Sequence, residues 1–178
     1  MIDIPDNWSQ NLYYNLPLDE MMEVIKASLK NGYSVCWDGD VSDKGFSHVN
    51  SLAIAPEADI NSMEGTERAR WEKLSEKDRM AELYQFNTPA PEKKVTQEIR
   101  QQAFDTQQTT DDHLMHLTGM VSDQNGTIYF KTKNSWNTTG NKTGGYLNMS
   151  EAYVRINTIA IMVHKNAIPK EIAEKLGL

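Results

Sequence analysis

The chain has 178 residues, of which 39% are hydrophobic, and a formal net charge of −7. This length is enough for one domain with its own hydrophobic core. The negative charge argues against a non-specific nucleic-acid binder, because nucleic-acid phosphates would repel it. No apolar run approaches the roughly 20 residues of a membrane span, and the first residues do not resemble a secretory signal segment. The single cysteine excludes an internal disulfide.

The first third of the chain predicts a helix followed by a strand. Residues 3–14 are polar and aromatic without a clear period and are expected to be extended. Apolar residues then recur at helical spacing over 18–29, and the Asn-Gly pair at 31–32 stops that helix. Residues 33–37 predict a short strand that ends at a polar turn, and 47–58 predict a strand or a loop.

Helical segments are expected between about 60 and 105. Residues 63–84 predict two helices, the second of which begins with a capping box at Ser75. Residues 87–94 contain two prolines and predict a connector. A short helix follows over 95–104, and two of its apolar side chains are expected to face inward: Ile99 and Phe104.

A β-hairpin is predicted where His113 opens one apolar strand and Asn134 closes the next. A turn-rich segment at 122–126 joins the strands, which therefore lie side by side. The start of the first strand then faces the end of the second, so His113 and Asn134 are expected to touch. An imidazole oriented by an amide is two thirds of a Cys/His/Asn catalytic group, and the missing third is a thiolate.

The two histidines of the first strand are predicted to point apart. A period of two puts His113 and Met115 on one face, and Leu114 and His116 on the other. This arrangement argues against a metal site, which needs convergent nitrogens. His116 is therefore predicted to be a packing or hydrogen-bonding residue.

The rest of the chain predicts further strands and a final helix. Residues 137–145 are rich in Thr, Asn and Gly and indicate a loop, after which 144–149 begin a strand. Residues 153–163 are read as one extended apolar run. A short helix beginning at Pro169 is expected to close the chain.

Three segments of the second half carry a family resemblance: Asp112-His113-Leu114-Met115, Lys133-Asn134-Ser135-Trp136 and Gly144-Gly145-Tyr146-Leu147-Asn148-Met149-Ser150. They resemble the C-terminal half of the papain superfamily, and most specifically its bleomycin hydrolase and bacterial aminopeptidase C branch. Segments 35–41 and 161–165 resemble the same branch, so the likeness extends over nearly the whole chain.

The resemblance implies an α+β, papain-like fold: the C-terminal half, with an antiparallel, partly closed β-sheet plus inserted helices. Residues 1–178 would be the C-terminal portion of a cysteine peptidase, with helical insertions at about 60–105 and the catalytic sheet at 110–165. It also implies that His113 is the catalytic histidine, that Asn134 orients it, and that Trp136 shields their hydrogen bond.

The chain departs from the family pattern at several positions. Leu114 stands where the family has a small residue, and Asn137 stands where it has glycine. No segment resembles the family's nucleophile, a Cys-Trp pair that opens a long helix downstream of a glutamine. Cys36 is also followed by a tryptophan, but it lies in a β-type run, whereas a catalytic thiolate of this class is helped by a helix N-terminus. Cys36 is therefore predicted to be a buried strand residue.

The function implied by the resemblance is that of a cysteine aminopeptidase, of which this chain alone is expected to be inactive. It would need the missing N-terminal half and peptide substrates, but no metal or organic cofactor, and neither nucleic acid nor a membrane is an expected partner. The resembled family forms hexamers, so a homo-oligomer is expected, and the family is cytoplasmic. An exported parent stays open, because the chain is expected to be a fragment.

Two other functions stay open from the sequence. One is a non-catalytic papain-like binding or scaffold module that has lost its nucleophile. The other is a calcium-dependent binding module built on Asp38, Asp40 and Asp43. A calcium loop needs a glutamate at its twelfth position, which is absent here, so a polar turn after a strand is favoured.

Overall fold

The structure is a computed structural model that describes residues 12–58 and 63–178. The expected extended segment 3–14 lies mostly outside these residues. Within them there are six α-helices: α1 Leu18–Lys30, α2 Gly65–Lys73, α3 Glu76–Leu83, α4 Gln97–Asp105, α5 Glu151–Asn157 and α6 Lys170–Leu176. The seven strands are β1 Val35–Gly39, β2 Phe46–Ser47, β3 Leu52–Ala53, β4 His113–Ser122, β5 Ile128–Lys133, β6 Tyr146–Ser150 and β7 Thr158–Met162.

The strands form a single sheet in the order β2-β3-β6-β5-β4-β1-β7. Neighbouring strands are antiparallel except β3 and β6, which are parallel. The sheet is curled into a half-barrel and is packed with helices, so the α+β fold class is confirmed. Strand β4 lies between β5 and β1, and this places its first residue near the centre of one end of the sheet.

Helix α1 covers one side of the sheet and is the helix predicted at 18–29. Its apolar stripe is buried, including Met22 and Ile25, and the chain turns at Gly32 with a positive φ of 80°. The side chains of Trp37, Leu117 and other large residues fill the core beneath it. Burial of this amphipathic stripe, rather than helix propensity, supplies most of the stability of such a helix.

Residues 151–157 form helix α5, so the prediction of one extended run over 153–163 is wrong for its first part. The Ser150 hydroxyl accepts a hydrogen bond from the Tyr153 amide, which caps the helix. This cap and the burial of Tyr153 and Val154 outweigh the strand preference of the β-branched and aromatic residues. Only Thr158–Met162 is a strand, as predicted for that part.

Smaller differences concern strand and helix faces. Strand β1 continues to Gly39 and does not end at Trp37, because both neighbours of the strand pair with it there. In α4, Ile99 is exposed and Ala103 is the buried residue, so the inward position predicted for Ile99 is wrong. The capping box at Ser75 is confirmed, since the serine side chain accepts from the amide of Asp78.

No helix within the described residues is long and apolar enough to cross a bilayer.

Candidate active site

The hairpin of β4 and β5 brings His113 and Asn134 together. His113 is the first residue of β4, and Asn134 directly follows the last residue of β5. The strands pair from His116 with Lys133 onward. The separation between His113 Nε2 and Asn134 Oδ1 is 2.9 Å, which is a hydrogen bond. The predicted contact is therefore present, while the catalytic roles of the two residues stay predictions.

A third group fixes which atoms of the pair carry protons. The backbone amide of Trp136 donates to Asn134 Oδ1 over 3.3 Å, so the atom that faces both partners is an oxygen. His113 Nε2 must therefore carry the hydrogen. In the neutral ring the lone pair is then on Nδ1, which has no hydrogen-bond partner within residues 12–58 and 63–178. Nδ1 is the nitrogen left for an external acid such as a thiol.

Asn134 is held rigidly at this position. It is fully buried, and its amide N–H donates to the Gly145 carbonyl over 3.0 Å. Its carbonyl accepts from Lys133 Nζ over 2.8 Å. Asn134 Nδ2 is buried and has no partner in the described part of the chain. Backbone contacts and Oδ1 therefore fix the side chain that orients the imidazole.

Trp136 lies against the imidazole, with ring centroids 5.0 Å apart. The indole is in turn contacted by Phe46 at 5.6 Å and by His48 at 5.4 Å. It is 42% exposed, so it covers one side of the hydrogen-bonded pair and faces solvent with the other. Phe46 and His48 were missed by the sequence reasoning, because nothing in the pattern links them to Trp136 some 90 positions later.

Cys36 and His116 lie on the opposite face from His113. Cys36 pairs with His116 across β1 and β4, whereas Gly39 pairs with His113. Because directly paired residues project to the same side, the thiol cannot face the imidazole of His113. Cys36 is in a strand as predicted, but it is only half-buried, so the prediction of burial is wrong. Burial, and next the charge of Asp38, raise the pKa of the thiol, which is the reverse of what a nucleophile needs.

The face of the sheet that carries Cys36 and His116 is called the outer face. It contains an open groove of about 770 Å³. It is lined in part by Cys36, Leu114 and Met162. Leu114 is 60% exposed and Met162 is 70% exposed, which leaves an uncovered apolar surface beside Asn134. Such surfaces are typical of contacts with other protein.

The aspartates considered for calcium are engaged within the protein. Asp40 is fully buried, and its Oδ1 accepts from the amide and hydroxyl of Ser42, while its Oδ2 accepts from the amide of Thr110. Asp43 Oδ1 accepts from the Gly45 amide. Within the described ranges there is no group of three or more His, Cys, Asp or Glu side chains placed to hold a metal ion. The oxygens of Asp40 instead tie the end of β1 to the segment that leads into His113.

Asp38 has an unusual protonation state. Its pKa is raised from 3.8 to about 7, first by burial and then by the charge of Asp111, a hydrogen bond with Asp111, and the charge of Asp112. The Asp38 carboxyl therefore keeps its proton to a higher pH than an exposed carboxyl does. It lies next to the end of β1, where Gly39 is paired with His113.

Comparison with known proteins shows which family the chain belongs to. The model of the Peptidase C1-like family matches residues 72–177. The crystal structure of PepW from Lactobacillus rhamnosis HN001 is similar over 90% of this chain, with a TM-score of 0.57 and 19% sequence identity. The chain spans only 29% of the length of PepW. No curated protein matches the sequence. The structural likeness shows the fold, and the family model, which covers more than half of the chain, shows that it belongs to the Peptidase C1-like family.

Proposed function

We propose that this chain is the C-terminal portion of a cysteine aminopeptidase similar to bleomycin hydrolase, and that its nucleophile lies outside residues 1–178. His113 and Asn134 would then complete a Cys/His/Asn triad. The observation that carries the proposal is the hydrogen bond from His113 Nε2 to Asn134 Oδ1, which leaves Nδ1 for a thiol. Membership in the Peptidase C1-like family supports the type of reaction.

The proposed mechanism uses His113 as a proton carrier. Nδ1 takes the proton of the thiol, and the thiolate attacks the scissile carbonyl to form a C–S bond. Nδ1 then gives the proton to the leaving amine as the C–N bond breaks. In the second half, Nδ1 takes a proton from water while the water oxygen attacks the thioester, and the thiolate leaves. The cycle ends with the thiolate and the protonated ring, the same ion pair that attacked the substrate.

Asn134 and Trp136 support the imidazole in this cycle. Asn134 Oδ1 accepts from Nε2 in every step, so the ring keeps one orientation while Nδ1 gains and loses its proton. Trp136 packs against the imidazole and limits the access of water to the hydrogen bond. A hydrogen bond in a drier environment is electrostatically stronger.

The partners proposed are peptide substrates, the missing N-terminal half and further copies of the whole enzyme. The exposed apolar side chains of Leu114 and Met162 support a protein contact on the outer face of the sheet. We propose a cytoplasmic, oligomeric parent on the basis of the family resemblance. Neither nucleic acid nor a membrane is among the proposed partners.

A non-catalytic papain-like binding or scaffold module is the second candidate. One observation favours it: the single cysteine of the chain lies on the opposite face of the sheet from His113. If the longer protein also lacks a cysteine facing Nδ1, the fold would have kept the histidine and asparagine without the nucleophile.

A labelling experiment on the longer protein that contains this chain distinguishes the two candidates. The longer protein is treated with an epoxide that alkylates papain-like thiolates. Its activity on an aminoacyl amide is assayed before and after treatment. The proposal predicts loss of activity and a single alkylated cysteine outside residues 1–178. An amino-blocked peptide is the control for exopeptidase action, and it should be hydrolysed poorly. An unlabelled, inactive protein would support the scaffold module.

A further inference from the structure

The loop that follows Asn134 is anchored by a turn from a distant part of the chain. That turn, residues 48–51, joins β2 to β3. The Nε2–H of His48 donates to the carbonyl of Asn137, with 2.9 Å between the heavy atoms. Asn137 directly follows Trp136, so this hydrogen bond fixes the backbone next to the indole that packs against His113.

Further contacts connect the same two segments. Asn141 Nδ2 donates to the His48 carbonyl over 2.8 Å. The Lys142 amide donates to Ser51 Oγ over 3.1 Å, and Lys142 Nζ donates to Asn50 Oδ1 over 3.0 Å. The loop is therefore held from both its first and its middle residues, and His48 is the contact closest to Trp136.

The hydrogen bond to Asn137 determines which ring nitrogen of His48 carries a hydrogen. A carbonyl oxygen only accepts, so Nε2 must carry the hydrogen. Nδ1 is buried and has no partner in the described part of the chain. The imidazole also contacts the Trp136 indole in an edge arrangement at 5.4 Å.

We propose that His48 is a positioning residue for His113 and that it acts through Asn137 and Trp136. Its hydrogen bond to Asn137 and its ring contact hold the indole against the catalytic imidazole. The kinetic form of this inference rests on the proposed peptidase function, whereas the structural form concerns only the residues of this chain. His48 does not touch His113 and exchanges no proton with substrate.

The first test uses this chain and needs no activity. Proton NMR follows the Nε2–H signal of His113. In His48→Leu, which keeps bulk but removes the donor, the exchange of the Nε2–H signal should be faster by about tenfold, as expected for loss of one hydrogen bond. In His48→Gln, whose amide nitrogen can replace Nε2, exchange should stay close to that of the wild type.

The matched control is Thr96→Ala, which removes the N-terminal cap of α4 far from this site. It should lower the thermal stability without changing the His113 signal. If His48→Leu does not fold, His48→Phe keeps a ring against Trp136 and lacks the donor, so it provides the same comparison. An unchanged His113 signal in His48→Leu and His48→Phe, or exchange that is equally faster in His48→Leu and Thr96→Ala, would overturn the proposal.

The second test is kinetic and is made in the longer enzyme. His48→Leu should lower kcat by about five- to tenfold with KM within about twofold, because orientation of His113 is lost while substrate contacts remain. His48→Gln should recover most of kcat. An enzyme without any peptidase activity would refute the proposed function but leave the NMR result to decide the role of His48. A normal kcat in a His48→Leu enzyme would contradict the positioning role of His48.

Discussion

Cys36 and His116 face each other across β1 and β4, on the side of the sheet opposite His113. The thiol is therefore separated from the imidazole by the sheet itself. Its raised pKa, which follows from burial and from the charge of Asp38, keeps it protonated near neutral pH.

The position of Cys36 predicts slow chemistry at its thiol. An epoxide directed at papain-like enzymes should label Cys36 more slowly than it labels free cysteine, because the raised pKa leaves less of this half-buried thiol ionised. Cys36→Ser should leave the activity of the longer enzyme unchanged. Mass spectrometry of the labelled chain gives the rate. Rapid alkylation of Cys36 that disappears in His113→Ala would show that the two side chains meet, contrary to the register of β1 and β4.

The raised pKa of Asp38 predicts a pH-dependent stability. The unfolded chain ionises Asp38 near 3.8, whereas the folded chain keeps the proton until about pH 7. The native state therefore binds more protons between these values, so the free energy of unfolding falls as pH rises through this window. Asp38→Asn, which keeps a donor for Asp111, should raise the melting temperature at pH 8 and change it little at pH 4.

Thermal unfolding of the wild type and Asp38→Asn at the two pH values tests this prediction. Asp105→Asn, at an exposed position of α4, is the matched control and should change stability by about 0.5 kcal/mol or less at both. The titratable neighbours of Asp38 that bear on the result are Asp111, Asp112 and Cys36. An equal effect of Asp38→Asn at pH 4 and pH 8 would mean that Asp38 does not hold its proton in the folded chain.

Gly39 is predicted to be essential for folding around His113. A Cβ at this position would lie 2.1 Å from the Asn157 carbonyl oxygen and 2.4 Å from Cζ2 of Trp37. Neither the backbone nor the buried indole has room to move, so Gly39→Ala should destabilise the chain by about 3 kcal/mol or more, at the upper end of overpacking costs. Denaturant unfolding with Gly119→Ala as control checks this, since a Cβ at Gly119 meets nothing within 4 Å. Equal stability of the two variants would contradict the packing at Gly39.

The sequence was sufficient for the features that depend on local pattern. The amphipathic period of α1, the turn between β4 and β5, and the alternation along β4 each follow from short segments. The hairpin places the start of β4 beside the end of β5, and a bulge between Leu117 and Gly119 shifts the register by one residue on the way. This is why the contact at the centre of the candidate site was predictable.

Features that depend on distant contacts were not predictable in the same way. Helix α5 contains the β-favouring residues Tyr153, Val154 and Ile156. It forms because Ser150 caps it and the core buries it, and neither effect is visible in periodicity. The parallel pairing of β3 with β6 brings the turn at 48–51 to the loop after Asn134. No local rule links these segments, so the role of His48 could be seen only in three dimensions.

The kinetics of three variants of the longer enzyme decide whether His113 and Asn134 form the proposed catalytic pair. In the proposed mechanism His113 moves every proton, so His113→Ala should nearly abolish turnover. Asn134→Ala removes an orienting hydrogen bond, so turnover should fall by about ten- to a hundredfold. His116→Ala should mainly affect stability, because its side chain leaves the other face of β4. An inactive His116→Ala enzyme with near-normal His113→Ala turnover would contradict the strand register and the assigned catalytic pair.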